Sequence, residues 1–243
     1  MSAGRQYRLF TGYIHYSKLK WLDWIVSSVE HHRGNREAGS LNILDIGCGR
    51  GNISLPLASL GYRVHGIDID PDEISCVAAR NKFPNASFEA GDAEKIDFET
   101  QWDIVICSAI FEHLFSPENL FRKLPEIVQR DGIILITVPN GYGPYELFDE
   151  LPMRVLAKVY HKFLGRRDIS ASPHVHKHNF TFKAFTALMN GSGIYVEKVR
   201  HSHFLSFWPV LRRINFLARI DGKLADLLPH PFVSGWLFLC KLK

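Results

Sequence analysis

Cysteine is scarce in this chain, and what there is does not pair. Cys48, Cys76, Cys107 and Cys240 are the four cysteines among 243 residues, and no two stand at the short spacing of a zinc or redox pair. That argues against a disulfide scaffold and for reduced thiols. Long apolar runs are missing too: no stretch of about 18 apolar residues occurs, so no membrane span is expected. The first residues carry no apolar core of signal-peptide type. The expected location is the cytoplasm, with contact at a membrane surface left open. Internal repeats and low-complexity tracts are absent, which sets solenoids and disordered arrays aside.

Acids are what the last third lacks. Residues 151–243 hold 15 Lys and Arg against only Asp168, Glu197, Asp221 and Asp226, a balance of +11. Residues 1–150 hold 14 Lys and Arg against 21 Asp and Glu, a balance of −7. Such a split marks either a surface that meets something anionic or a solvated basic face. The hydrophobic share of 46% and charged share of 22% are those of a globular chain, long enough for one sizeable α/β domain.

The run Ile43-Leu44-Asp45-Ile46-Gly47-Cys48-Gly49-Arg50-Gly51 describes a buried strand turning sharply into a loop and a helix. Glycine at alternate positions lets backbone approach a ligand where a Cβ would block it. Seventeen residues after Gly51, the strand-like run from Tyr62 ends in Asp68, placed to bond the hydroxyls of a ribose. A dinucleotide fingerprint needs glycine three residues after the second one, and that position is Asn52. The pattern Asp-x-Gly-x-Gly-x-Gly resembles motif I of the class I S-adenosylmethionine-dependent methyltransferases. The Gly91-Asp92-Ala93 strand end, the run Trp102 to Leu114 and the run Asp131 to Asn140 resemble later motifs of that family, in order. The resemblance is strong over residues 41–140 and weak on the flanks, and extends to the broad group that includes the ubiquinone-biosynthesis-like O-methyltransferases.

Local signals set the remaining elements. Apolar residues at helical spacing over 13–32 predict one or two helices. Asp70-Pro71-Asp72-Glu73 predicts a helix start, with Asp70 as N-cap and Glu73 completing a capping box. Helices are expected from Ser116-Pro117 through Gln129 and from the Phe180-Thr181-Phe182 segment to Gly191, with Asp131-Gly132 turning into a fifth strand. The resemblance then implies an α/β fold: a Rossmann-like, mostly parallel seven-stranded sheet with an antiparallel edge hairpin and helices on both faces. It implies one methyltransferase domain over 1–243, with cap helices in 1–40, a cofactor core in 41–140, and lid insertions at 141–179 and 201–232.

The implied cofactor is S-adenosyl-L-methionine, held by Asp45, Gly47, Cys48, Gly49, Asp68, Ile69, Asp92, Ala93 and Ser108. Asp45 would meet its methionine part and Asp92 its adenine. Methyl transfer from a sulfonium needs alignment and water exclusion more than a reactive side chain. A hydroxyl acceptor gains from a base near neutral pKa, and His113 and His176 are the catalytic candidates. His174, His176 and His178 alternate, so an extended segment could offer them jointly to zinc or iron. No carboxylate or cysteine stands close in sequence, and no metal is expected. Asp103 is read as structural and Glu112 as a loop-surface residue.

The leading expectation is O-methylation of a small or lipid-like acceptor. Basic, aromatic segments at 153–167 and 204–217 suggest a lid touching a membrane interface. An RNA methyltransferase is the first alternative, given the basic last third. A nucleic-acid partner is not expected, because Ser108-Ala109-Ile110-Phe111 lacks the Pro-Pro-aromatic signature of adenine-amino enzymes. A cofactor-binding scaffold without catalysis is the second alternative.

Overall fold

The computed structural model describes residues 3–13, 16–95, 100–144, 147, 176–205 and 214–243. Its frame is one seven-stranded sheet in the order β3-β2-β1-β4-β5-β7-β6. The strands are β1 (Asn42–Ile46), β2 (Arg63–Asp68), β3 (Ala86–Ala90), β4 (Trp102–Ser108), β5 (Val128–Pro139), β6 (Ile194–His201) and β7 (Gly235–Leu242). β1 to β5 pair in parallel, while β7 lies between β5 and β6 and runs antiparallel to both. The expected mostly parallel sheet with an antiparallel edge pair is therefore present.

The central strands are apolar on both sides because both faces are covered. Leu44, Val105, Cys107, Ile134 and Ile136 face one core. Ile43, Ile104, Ile106, Ile133 and Leu135 face the other. Helix α1 (Tyr16–Arg33) covers the second face with Leu22, Ile25, Val26 and Val29, joined by α2 (Ser54–Ser59) through Leu57 and Ala58. On the first face, α4 (Pro117–Ile127) supplies Leu120, Phe121 and Leu124, and α5 (Phe182–Gly191) supplies Phe185 and Met189. Helix α3 (Pro71–Arg80) flanks β2 and β3, and α6 (Asn215–Ala225) precedes β7.

Local chemistry explains the helix starts. The Asp70 side chain accepts the Asp72 amide at 2.9 Å and Pro71 opens α3, as the sequence predicts. Glu73 does not close the capping box; it turns to Arg50, 3.1 Å away, because that cation stands across the glycine loop. Thr181 caps α5 through the Ala184 amide.

One boundary differs from expectation. β5 starts at Val128, directly after α4, rather than after a turn at Asp131-Gly132. Trp102 pairs with Val128 and Ile104 with Ile133, so the ladder slips across the intervening polar residues. Gly132 serves close approach there, since a Cβ would stand 2.8 Å from the Asp103 carbonyl oxygen. Of the first expected lid insertion, residues 145–146 and 148–175 lie outside the described residues. Of the second insertion, α6 and a short turn of helix at His230–Phe232 are described.

Candidate active site

The parallel strands deliver their carboxyl ends to one edge of the sheet, and a cavity of about 740 Å³ opens there. Its first wall is the loop after β1. Gly47 and Gly51 have φ of +77° and +72°, a region that side chains with a Cβ rarely enter. A Cβ at Gly47 would also meet the Ile110 side chain at 3.0 Å. The Gly47 and Cys48 amides both donate to the Ile67 carbonyl, at 2.8 and 2.9 Å, which folds the loop back on the end of β2.

Asp68 closes that turn. Its carboxylate accepts the Gly49 amide at 2.8 Å and the Asp70 amide at 3.0 Å, which fixes it at the cavity edge. Each oxygen keeps a second lone pair, so ribose hydroxyls can still donate to it. Asp92, after β3, accepts the Glu94 amide at 3.0 Å and pairs with Lys95 at 2.9 Å. Burial pushes its pKa up, but those two donors outweigh this and hold it below the usual carboxylate value.

The third wall follows β4. Ala109 takes φ +54°, uncommon for a residue with a Cβ, and its amide donates to the Thr137 carbonyl at 2.9 Å. The Ser108 and Thr137 hydroxyls bond at 2.8 Å. This strained corner aims Ile110 and His113 into the cavity.

Eight of the nine expected cofactor residues line the cavity: Gly47, Cys48, Gly49, Asp68, Ile69, Asp92, Ala93 and Ser108. Asp45 stands behind the wall, 1% exposed, bonded to the Ser54 hydroxyl and with Oδ1 lacking a hydrogen-bond partner. Burial, with Asp45 and Asp68 nearby, raises the Cys48 thiol pKa, so the thiol stays protonated. The structure brings the two candidate histidines together: their ring centroids are 5.0 Å apart, with His113 at the cavity wall and His176 behind it. His178 stays apart from them, stacked on Phe180, with Nε2 3.3 Å from the Phe115 carbonyl oxygen. His174 lies outside the described residues.

Sequence reasoning missed several lining groups. Tyr13 reaches the cavity because the Gly12 amide donates to Asn52 Oδ1 at 2.8 Å, tying the N-terminal segment across the glycine loop. Lys177 joins through its ammonium, 3.2 Å from the centre of the Phe115 ring. Only tertiary contacts could reveal these. Glu112 is also corrected: it is 2% exposed, buried rather than on the loop surface. The Lys177 and His178 amides both donate to its backbone carbonyl, at 2.7 and 3.1 Å, and this draws the loop inward. Asp103 is structural, accepting the Asn42 amide at 2.9 Å.

Asp45 gives the site a pH signature. Burial pushes its carboxyl up to about 7, with the Ser54 bond opposing and Asp68 reinforcing, against 3.8 for an ordinary aspartate. The folded chain holds this proton more tightly than the unfolded one. The stabilising contribution is therefore complete below about pH 4 and lost as pH rises through about 7. Asp45→Asn should lose less stability than the parent between pH 5 and 8, read as thermal midpoints by circular dichroism. Equal losses would mean that Asp45 is not the acid responsible.

Known proteins are similar to this chain in sequence and in fold. A family model described as a methyltransferase domain matches residues 38–189. The ubiquinone biosynthesis O-methyltransferase of Rickettsia akari is 29% identical over 121 residues, 49% of this chain and 48% of that protein. The malonyl-acyl-carrier-protein O-methyltransferase of Bacillus cereus is 30% identical over 117 residues, 47% of this chain and 42% of that one. The chain thus spans about half the length of the curated relatives it matches. The crystal structure of magnesium protoporphyrin IX methyltransferase from Synechocystis PCC 6803 with bound S-adenosylhomocysteine is similar in fold. It covers 95% of this chain and 89% of that one, at a TM-score of 0.56 and 16% identity. Among the described residues no helix is long and apolar enough to cross a membrane. With its glycine loop, its two strand-end acids and the family-model match over residues 38–189, the chain belongs to the methyltransferase domain family.

Proposed function

We propose that this chain is an O-methyltransferase, moving the methyl group of S-adenosylmethionine in line to a hydroxyl of a small or lipid-like acceptor. The observation that carries the reading is one cavity lined by Gly49, Asp68 and Asp92 together with His113. Asp68 holds the ribose, Asp92 the adenine, and Asp45 faces the charged methionine part from behind the loop. His113, backed by His176, takes the acceptor proton as the oxygen attacks the methyl carbon. The carbon–sulfur electron pair passes to sulfur and S-adenosylhomocysteine leaves. The names of the Rickettsia and Bacillus relatives, both O-methyltransferases, support oxygen as the acceptor atom. The test supplies S-adenosylmethionine labelled in its methyl group to catechols, carboxylic acids and hydroxylated quinone-like lipids. Label should appear on oxygen in at least one class; transfer to nitrogen or carbon only would overturn the reading.

An apolar acceptor is favoured by the outer face of α6. Phe216, Ile220 and Leu224 repeat every four residues on it, and Leu227 follows, 82% exposed. Arg219 and Lys223 are exposed among them. The acids of this segment turn inward: Asp221 accepts the Phe204 and Leu205 amides at 3.1 and 2.7 Å, and Asp226 accepts the His201 amide at 3.1 Å. A face left basic and apolar suits anionic lipid, where each cation contributes about 1 kcal/mol, screened by salt. Of the expected membrane-facing segments, residues 153–167 and 206–213, Trp208 among them, lie outside the described residues. The protein should sediment with anionic but not neutral vesicles, less so at high salt or with Phe216→Ser. Absence from anionic vesicles at low salt would assign this face to another role. A nucleic-acid acceptor ranks second, because the apolar stripe gives RNA nothing to recognise.

A further inference from the structure

Glu112 and His113 are neighbours in sequence, at the loop where β4 delivers its end to the cavity. His176 comes from a segment that the Glu112 carbonyl oxygen holds in place through the Lys177 and His178 amides. One carboxylate oxygen of Glu112 and one ring nitrogen from each histidine all lie within 4.8 Å of one another. Glu112 is buried, His113 lines the cavity, and the two imidazoles meet edge to face.

We propose that Glu112, His113 and His176 form a site for one divalent first-row transition cation at the cavity wall that His113 lines. Two imidazoles and one carboxylate on one side of an ion leave its other positions open, the arrangement of facial-triad and catalytic zinc centres. Donor distances of about 2.0–2.2 Å require the three groups to draw together from their present spacing by roughly an ångström. Side-chain rotation supplies that, because the two backbone segments are already tied. The sequence hid the set because the carboxylate precedes His176 by 64 residues.

The role of the ion rests on the O-methyl transfer reading; the site itself does not. An acceptor hydroxyl in an open position of the cation loses its proton to water more readily, since the ion lowers the pKa of bound oxygen. That oxygen then attacks the methyl carbon, the carbon–sulfur bond breaks, and its electron pair goes to sulfur. With the ion in place the histidines are ligands and water takes the proton that His113 takes in its absence; no oxidant or reductant is needed. His113 shares the cavity with the cofactor loop.

The test titrates Co²⁺ into untagged, chelator-treated full-length chain, with equilibrium dialysis for stoichiometry and visible absorption for the ligand field. One Co²⁺ per chain should bind, with absorption bands of a nitrogen- and oxygen-ligated ion. His176→Ala and Glu112→Gln should each weaken Co²⁺ at least about tenfold, the smaller of the losses seen when only supporting groups are removed. Affinity for S-adenosylhomocysteine should be unchanged in both variants, which shows that they remain folded. Absence of stoichiometric Co²⁺ binding, or binding that His176→Ala leaves unaltered, would overturn the site. Intact Co²⁺ binding in a chain that does not bind S-adenosylhomocysteine would instead refute the cofactor reading and keep the site.

Discussion

The double substitution His113→Ala, His176→Ala should lower methyl transfer by about 10²–10⁴-fold while affinity for S-adenosylhomocysteine stays within about twofold of the parent. That size follows from losing the group that handles the acceptor proton, since the alignment that drives the rest of the reaction comes from other residues. The separation of effects is structural. His113 and Asp68 both line the cavity, and Asp68 is held there by the Gly49 and Asp70 amides. Single-turnover rates with labelled cofactor and the true acceptor provide the measurement. Near-normal rates in the double variant would mean an acceptor already acidic, or aligned without proton removal. Removing His113 and His176 also removes two of the three proposed metal ligands, so rate alone does not separate base from cation; Co²⁺ binding does.

Gly51→Ala should be the most damaging single substitution in the cofactor loop. A Cβ at Gly51 would stand 2.4 Å from Val77 Cγ2 and 3.0 Å from Leu55 Cγ, at a φ of +72°. Left-handed strain costs about 1–2 kcal/mol and overpacking about 1–3 kcal/mol, together roughly 2–5 kcal/mol. For a domain of this size the thermal midpoint should fall by roughly 4–20 °C. Gly193→Ala is the matched control, with φ +77° and nothing within 4 Å of its Cβ, so it should lose only the strain. Equal losses in the two variants would show that α3 yields to the extra methyl and that loop packing is not tight.

How much of this was legible in the sequence depends on distance along the chain. The glycine loop, Asp68 at a strand end and Asp70 as an N-cap are local patterns, in which backbone needs and residue type coincide within a few positions. The sheet followed from them through the family resemblance. The start of β5 was hidden because Asp131-Gly132 looks like a turn, yet Val128 finds a partner in Trp102 across the sheet. Burial of Glu112 was equally hidden, because its carbonyl meets the Lys177 and His178 amides only once the chain has folded. Tyr13 reaches the cavity because its neighbour Gly12 bonds Asn52, a contact spanning 40 residues.

Calorimetric titration of S-adenosylhomocysteine into the purified chain tests the cofactor site most directly. One site of micromolar affinity is expected. Asp68→Ala should weaken it by about 1–3 kcal/mol, roughly 5- to 150-fold, as hydrogen bonds to a charged partner are lost. Absence of binding in the parent, or an affinity that Asp68→Ala leaves unchanged, would contradict the assignment of the cavity to the cofactor.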